Sequence, residues 1–184
     1  MSRKHGPWTI NETTEIYRHT LIEVFEDQVI KPDGQPGTYA TVKAKAGASV
    51  LALDADGFVY LAREFRYAIG RESIEVVGGA IDEGETPSDA ALRELKEELG
   101  IEACELIELG HADPITSIVD SPSHLFLARR LKFREKEQEG SEAIETVKVS
   151  LDEALRMVMS NEITHATSGV LIVRANHYLQ QRKE

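Results

Sequence analysis

Apolar and polar residues are interleaved from Trp8 to Ile30, and Lys31-Pro32-Asp33-Gly34 then supplies turn chemistry. Beyond that turn, Ala40, Val42, Ala44 and Ala46 alternate with Tyr39, Thr41, Lys43 and Lys45. This period of two predicts edge strands or a hairpin. Denser apolar runs follow at Ala48 to Leu53 and Phe58 to Glu64, separated by Asp54-Ala55-Asp56-Gly57. They read as a second hairpin near the centre of a sheet. Ser73 to Val77 reads as a strand running into Gly78-Gly79. The pattern then becomes helical: Thr86 offers a capping hydroxyl, Pro87 suits the first turn, Asp89 suits the positive end of the dipole, and Gly100 ends the helix. Further strands are expected at Cys104 to Gly110, Leu125 to Phe133 and Ile144 to Val149. Ser150-Leu151-Asp152-Glu153 reads as a capping box opening a helix to about Ser160, and a last helix is expected from about His165 to Gln180.

Strands precede helices, with no repeat and no long low-complexity linker, so the 184 residues predict one compact α+β or mixed layered structure. The charge narrows the partners. With 21 Lys and Arg against 32 Asp and Glu, the net charge is −11, and no basic field is present to gather a nucleic-acid polymer. A small anion held through a metal stays compatible with that balance. No stretch approaches the roughly 20 apolar residues of a membrane span, and Met1 to Pro7 carries no apolar run of the kind a secretory signal needs. Cys104 is the one cysteine, which excludes a disulfide framework within one chain and fits a reducing cytoplasm.

The chemistry concentrates between Gly79 and Ile101. At about 100° per residue, with Glu94 at zero, Glu98 falls at about 40° and Glu97 at about 300°. Ala91, Leu92, Leu95 and Leu99 fall between about 60° and 160°, so the three acids border the buried stripe. Like charges gathered beside low-dielectric material raise the energy of the ionised forms unless a cation neutralises them. A divalent metal with oxygen ligands answers that need. The plainer reading is a solvated acidic face with Arg93 and Lys96 as counter-charges. The loop Gly78-Gly79-Ala80-Ile81-Asp82-Glu83-Gly84-Glu85 favours the metal, because its glycines let backbone approach an ion or a phosphate closely.

These residues resemble the Nudix box, GX5EX7REUXEEXGU, at every fixed position: Gly79, Glu85, then Arg93-Glu94-Leu95-Lys96-Glu97-Glu98-Leu99-Gly100-Ile101. The resemblance implies an α/β/α sandwich, a mixed β-sheet between helices, with an N-terminal strand extension. It implies a single domain over 1–184, with residues 1–46 as strands serving dimerisation and 47–184 as the core. It also implies hydrolysis of a nucleoside diphosphate linked to another moiety. Arg63-Glu64-Phe65-Arg66-Tyr67 and Glu75-Val76-Val77-Gly78-Gly79 resemble the segments before the box in the branch acting on ADP-ribose and nucleoside diphosphate sugars. They mark Arg66 and Glu75 as substrate-binding candidates, with ion pairing of Arg66 to Glu64 or Glu75 as the simpler alternative. Glu142 resembles an acid of that branch's later loop, and an ordinary loop residue is the alternative. After the box, many ADP-ribose enzymes carry Ser-Pro-Gly. Here the segment runs Asp113-Pro114-Ile115-Thr116, keeping Pro114 as a substrate-binding candidate and losing the glycine, so the wider class of sugar nucleotides is better supported than ADP-ribose itself.

The resemblance implies roles as well. Glu94, Glu97 and Glu98, with the Gly78 carbonyl, would hold two or three Mg²⁺ ions, or Mn²⁺ in their place. Arg93 would orient the acids, Glu85 would support the helix, and Glu142 would act as base or ligand, which of the glutamates takes the proton being open. The expected partner is a small nucleoside diphosphate sugar, with the chain a homodimer. Two alternatives stay open: a nucleoside triphosphate or dinucleoside polyphosphate hydrolase, and a non-catalytic sensor of sugar nucleotides. His111, His124, His165 and His177 have no paired ligand spacing. Trp8 reads as a packed aromatic, with stacking on a base as the alternative.

Overall fold

The computed structural model describes residues 2–134 and 144–182. In chain order the elements are β1 (Arg3–His5), β2 (Trp8–Arg18), β3 (Ile22–Ile30), β4 (Pro36–Ala44), β5 (Gly47–Leu53), β6 (Phe58–Arg66), β7 (Arg71–Glu75), β8 (Val77–Ala80), α1 (Pro87–Leu99), β9 (Ile101–Ala112), β10 (Val119–Asp120), β11 (Ser123–Phe133), β12 (Glu145–Ser150), α2 (Leu151–Met159) and α3 (Ala166–Gln180), with a 3-10 turn at Tyr67–Ile69. They form two compact units, Met1–Lys45 with Asp113–Pro122, and Ala46–Ala112 with Ser123–Glu184.

The first unit is a five-stranded sheet in the order β1-β2-β3-β4-β10, antiparallel except where β10 runs parallel to β4. The interleaved stretch from Trp8 to Ile30 is two strands, turned where the His19 N–H donates to the Ile22 carbonyl at 2.8 Å. Register shifts between Ile10 and Glu12 and between Glu15 and Tyr17 break the period of two, which is why the pattern alone gave no boundary. The expected turn at Lys31 to Gly34 is present, with the Gly34 N–H donating to the Lys31 carbonyl at 2.9 Å. At three and two residues, β1 and β10 are too short to show a period.

The second unit is a mixed sheet in the order β12-β6-β5-β11-β9, with β7 paired to β6 and β8 paired to β5. β5 and β11 run parallel, and the other pairs are antiparallel. Alternate side chains feed two cores. Ala48, Val50, Ala52, Phe126 and Ala128 join Ala90, Ala91, Leu95 and Leu99 of α1 in one. Leu51, Leu53, Leu61, Leu125 and Leu127 join Ala154 and Met157 of α2 and Leu171, Ile172 and Ala175 of α3 in the other. Burial on both faces explains why these strands read as continuous apolar runs. Each fully buried leucine contributes about 1.5–3 kcal/mol against exposure. This unit is the helix–sheet–helix layering that the sequence implied.

The helix starts are as expected. Thr86 Oγ1 accepts from the Asp89 N–H at 3.2 Å, and Ser150 Oγ accepts from the Glu153 N–H at 3.1 Å. Gly100 closes α1 at φ 65°, its N–H donating to the Lys96 carbonyl at 2.9 Å. β9 starts at Ile101, before the expected Cys104, because Ile101, Glu102 and Ala103 pair with Phe133, Lys132 and Leu131. The strand expected from Ser73 to Val77 is broken at Val76, whose N–H donates to Ser168 Oγ at 2.9 Å rather than to a neighbouring strand. The chain thus passes from pairing with β6 to pairing with β5, and the second pairing places Gly78 and Gly79 opposite Ser49 and Ala48.

Candidate active site

α1 meets β8 closely enough that glycine is required there. A Cβ on Gly79 would lie 2.0 Å from Glu94 Oε1 and 2.4 Å from its Cδ, so the carboxylate rests directly on the Gly79 backbone. A Cβ on Gly78 would lie 2.8 Å from the Ala48 carbonyl and 2.9 Å from Ser49 Oγ. The two glycines thus fulfil different needs: Gly79 admits an acid from the helix, and Gly78 lets β8 lie against β5.

The buried face of α1 comprises Ala90, Ala91, Leu95, Glu98 and Leu99. Ala90 belongs to it where the angular estimate had placed Leu92. Glu98 is 8% exposed, so a carboxylate stands at the core boundary, as the spacing predicted. Arg93 gathers the others. Its Nε and Nη2 donate to the two Glu85 oxygens at 2.9 and 3.0 Å, Nη1 donates to Glu94 Oε1 at 2.7 Å and Glu97 Oε2 at 3.2 Å, and Nη2 also reaches the Ala80 carbonyl at 3.1 Å. Glu85 Oε2 accepts from the Asp82 N–H at 3.1 Å, so the glycine loop and the helix share one hub. Bonds from Arg93 and from the Asp82 N–H hold the Glu85 carboxyl below its ordinary value, and bonding to Glu85 raises Arg93 in turn.

Arg66, at the end of β6, donates through Nε and Nη2 to the Glu75 oxygens at 3.2 and 2.9 Å, and Nη1 lies 2.8 Å from Glu64. Substrate-binding candidate and ion-pair partner are the same side chain. Burial pushes the buried Glu75 carboxyl up, and the Arg66 bonds, the charge of His165 and a Ser73 bond outweigh that, holding it below its ordinary value. The positive charge of Arg66 is supported by Glu75, Glu64 and Glu98, which places the Arg66–Glu75 pair within electrostatic reach of the box helix.

His165 is a partner that sequence reading missed. Its Nδ1 lies 2.8 Å from Ser168 Oγ and 3.3 Å from Glu75 Oε2, and burial lowers its basicity, with Glu75 opposing and Arg66 reinforcing that fall. Glu75 and His165 stand 90 positions apart in the chain, and no local signal reports their contact. Pro114 belongs to the other unit, in the exposed segment before β10, and Glu142 lies outside the described residues.

The candidate donors, Glu94, Glu97 and Glu98 in the C-terminal half of α1 and the Gly78 carbonyl, are all carboxylate or carbonyl oxygens, the set that suits Mg²⁺ or Mn²⁺ and disfavours soft metals. The Gly79 cradle brings Glu94 to the backbone strand, where the Gly78 carbonyl is adjacent in sequence. Among the described residues no three His, Cys, Asp or Glu side chains converge on one point. Arg93 spans Glu94 and Glu97 instead, so these acids would exchange part of that pairing for an ion.

Comparison with known proteins agrees with this geometry. A family model described as NUDIX domain matches residues 43–171. An ADP-ribose pyrophosphatase of Bacillus subtilis is 30% identical over 92% of this chain and 90% of its own length. A methanol dehydrogenase activator of Bacillus methanolicus is 26% identical over 92% of this chain and 90% of its own. A solved structure described as an ADP compounds hydrolase superposes with a TM-score of 0.85 over 98% of both chains, at 22% identity.

Proposed function

Because the chain belongs to the Nudix family and is a hydrolase of pyrophosphate bonds, we propose that it is a Mg²⁺-dependent pyrophosphatase of ADP-ribose or a related nucleoside diphosphate sugar. The products are a nucleoside monophosphate and a sugar phosphate. The observation that carries this reading is the intact acidic helix: Glu94 seated on Gly79, Glu98 at the core boundary, and Arg93 tying Glu94, Glu97 and Glu85 together. A non-catalytic sensor has no need to keep all of these acids. Residues 1–184 act as one hydrolase domain, with residues 1–46 as a dimerisation region.

Water must attack a phosphorus atom ringed by anionic oxygens, so charge neutralisation is the main demand. Glu94, Glu97, Glu98 and the Gly78 carbonyl would hold Mg²⁺, or Mn²⁺ in its place, which when bound would supply Lewis-acid neutralisation of the diphosphate charge. Arg93 orients Glu94 and Glu97, and Glu85 and the Ala80 carbonyl fix Arg93 against the loop. Arg66, held by Glu75, would bind the anionic substrate, and Pro114 stays a substrate-binding candidate on the family resemblance alone. A glutamate accepts the proton of the attacking water, and Glu142 is the proposed base.

The test is a product analysis. The purified protein with Mg²⁺ is incubated with ADP-ribose, ADP-glucose, GDP-mannose, UDP-glucose, a diadenosine polyphosphate and a nucleoside triphosphate. Release of a nucleoside monophosphate from a sugar nucleotide is expected, and preferential turnover of the triphosphate or the dinucleoside polyphosphate would overturn the substrate class.

A further inference from the structure

A line of four polar groups runs from Arg66 away from the box helix. The Arg66 guanidinium donates to Glu75, Glu75 Oε2 lies 3.3 Å from His165 Nδ1, His165 Nδ1 lies 2.8 Å from Ser168 Oγ, and Ser168 Oγ accepts the Val76 N–H at 2.9 Å. Ser168 and Glu75 are buried, so these contacts form in a weakly screened setting. Ser168 is anchored to the backbone at the break between β7 and β8. The imidazole therefore takes its position from the strand pair that carries Glu75 and Gly78, not from a mobile neighbour.

We propose that His165 is a positioning residue of the substrate site, acting through Glu75 to hold Arg66 in its binding orientation. The inference rests on the reading of Arg66 and Glu75 as substrate-binding groups. Arg66 pairs with two carboxylates at once, Glu64 at 2.8 Å and Glu75 at 2.9 Å. Glu75 keeps Arg66 in a two-pronged pair only while its own carboxylate is held in one plane. Arg66 bonds both oxygens of that carboxylate, and His165 Nδ1 lies against Oε2, the oxygen that also accepts from Nη2. Nδ1 faces two oxygens, Ser168 Oγ at 2.8 Å and Glu75 Oε2 at 3.3 Å, so the ring sits wedged between the anchored hydroxyl and the carboxylate. Losing the imidazole removes the wall against Glu75 Oε2, so Glu75 and the Arg66 paired to it lose a fixed position, an orientation effect that weakens substrate binding more than the chemical step.

His165 occupies the N-cap of α3 without capping it through its side chain, which makes informative substitutions available. His165→Ser supplies a capping hydroxyl but is too short to reach Glu75. His165→Asn places a polar atom where Nδ1 stood, and both residues favour an N-cap, so the fold should tolerate each. With the full chain, Mg²⁺ and the preferred sugar nucleotide, His165→Ser is expected to raise KM roughly tenfold with kcat changed less than about threefold, and His165→Asn to bring KM back to within about threefold of wild type. Ser168→Ala, which loosens the ring without removing it, is expected to raise KM by about threefold. An unchanged KM in His165→Ser, beside a raised KM in Arg66→Ala, would overturn the inference and leave the reading of Arg66 standing. Matched losses of kcat, KM and Tm in both His165 variants would also overturn it, since a structural role predicts that result. An unchanged KM in Arg66→Ala would overturn the underlying reading and the inference together.

Discussion

Placing a methyl group on Gly79 perturbs the site more selectively than deleting an acid. In Gly79→Ala the new Cβ would stand 2.0 Å from Glu94 Oε1. Ordinary contact is about 3.5 Å, so the carboxylate has to move by roughly 1.5 Å. It sits at the end of a flexible side chain, and its bond to Arg93 is part-exposed, a pair worth about 0–1 kcal/mol. Replacing glycine by alanine also stabilises by about 0.4–1 kcal/mol through the unfolded state where the backbone tolerates it. The net cost is therefore below about 1 kcal/mol, which shifts Tm by less than about 4 °C in a chain of this size. Metal affinity is another matter, because a misdirected ligand typically costs about 10–100-fold. Gly78→Ala is the contrasting variant. Its Cβ would meet backbone, the Ala48 carbonyl at 2.8 Å and Ser49 Cα at 3.2 Å, and β8 has to shift from β5 at about 1–3 kcal/mol. Calorimetric titration with Mg²⁺ and thermal melts of both variants separate the effects. Gly79→Ala should keep its Tm and lose Mg²⁺ affinity, whereas Gly78→Ala should lose Tm. Wild-type Mg²⁺ affinity in Gly79→Ala, or a larger fall in Tm there than in Gly78→Ala, would refute the reasoning.

Thr86→Ala removes the hydroxyl that caps α1 and is expected to cost about 1 kcal/mol, a fall in Tm of about 2–4 °C; an unchanged melt would show that the cap contributes nothing. Glu75 is held below its ordinary carboxylate value of 4.5, so its contribution to stability is fully present above that pH and is lost as pH falls through the lower folded value. The Tm advantage of wild type over Glu75→Gln should therefore shrink as the medium is taken well below pH 4.5, and a constant advantage would contradict that sign.

What the sequence disclosed depended on the range of the interactions. The acidic helix and its caps were legible because Thr86, Pro87, Gly100 and the spacing of Glu94, Glu97 and Glu98 act within a few residues of one another. The two-sided burial of β5 and β11 showed as apolar density, since each strand feeds both cores. The break at Val76 was hidden, because its cause is a serine 92 residues later, and no periodicity reports that. His165 was passed over for the same reason. Its neighbours in sequence supply only Ser168, three residues on, and the second partner is a buried carboxylate brought in by the sheet. Arg66 lay between the two cases: the strand end was recognisable, and the choice between Glu64 and Glu75 resolved into pairing with both.

The central claim is that the carboxylates in the C-terminal half of α1 support metal-dependent hydrolysis of a sugar nucleotide, and Glu98→Gln tests it most directly. The substitution keeps the size of a buried side chain and removes its charge. Hydrolysis of ADP-ribose should be followed for wild type and for Glu98→Gln, each with Mg²⁺ and after chelation, at matched Tm. The account predicts that wild type releases AMP and ribose phosphate only with the metal, and that Glu98→Gln loses at least about 10³-fold in kcat, as removal of a metal ligand should cost no less than removal of a general base. Turnover that survives both chelation and Glu98→Gln would contradict it.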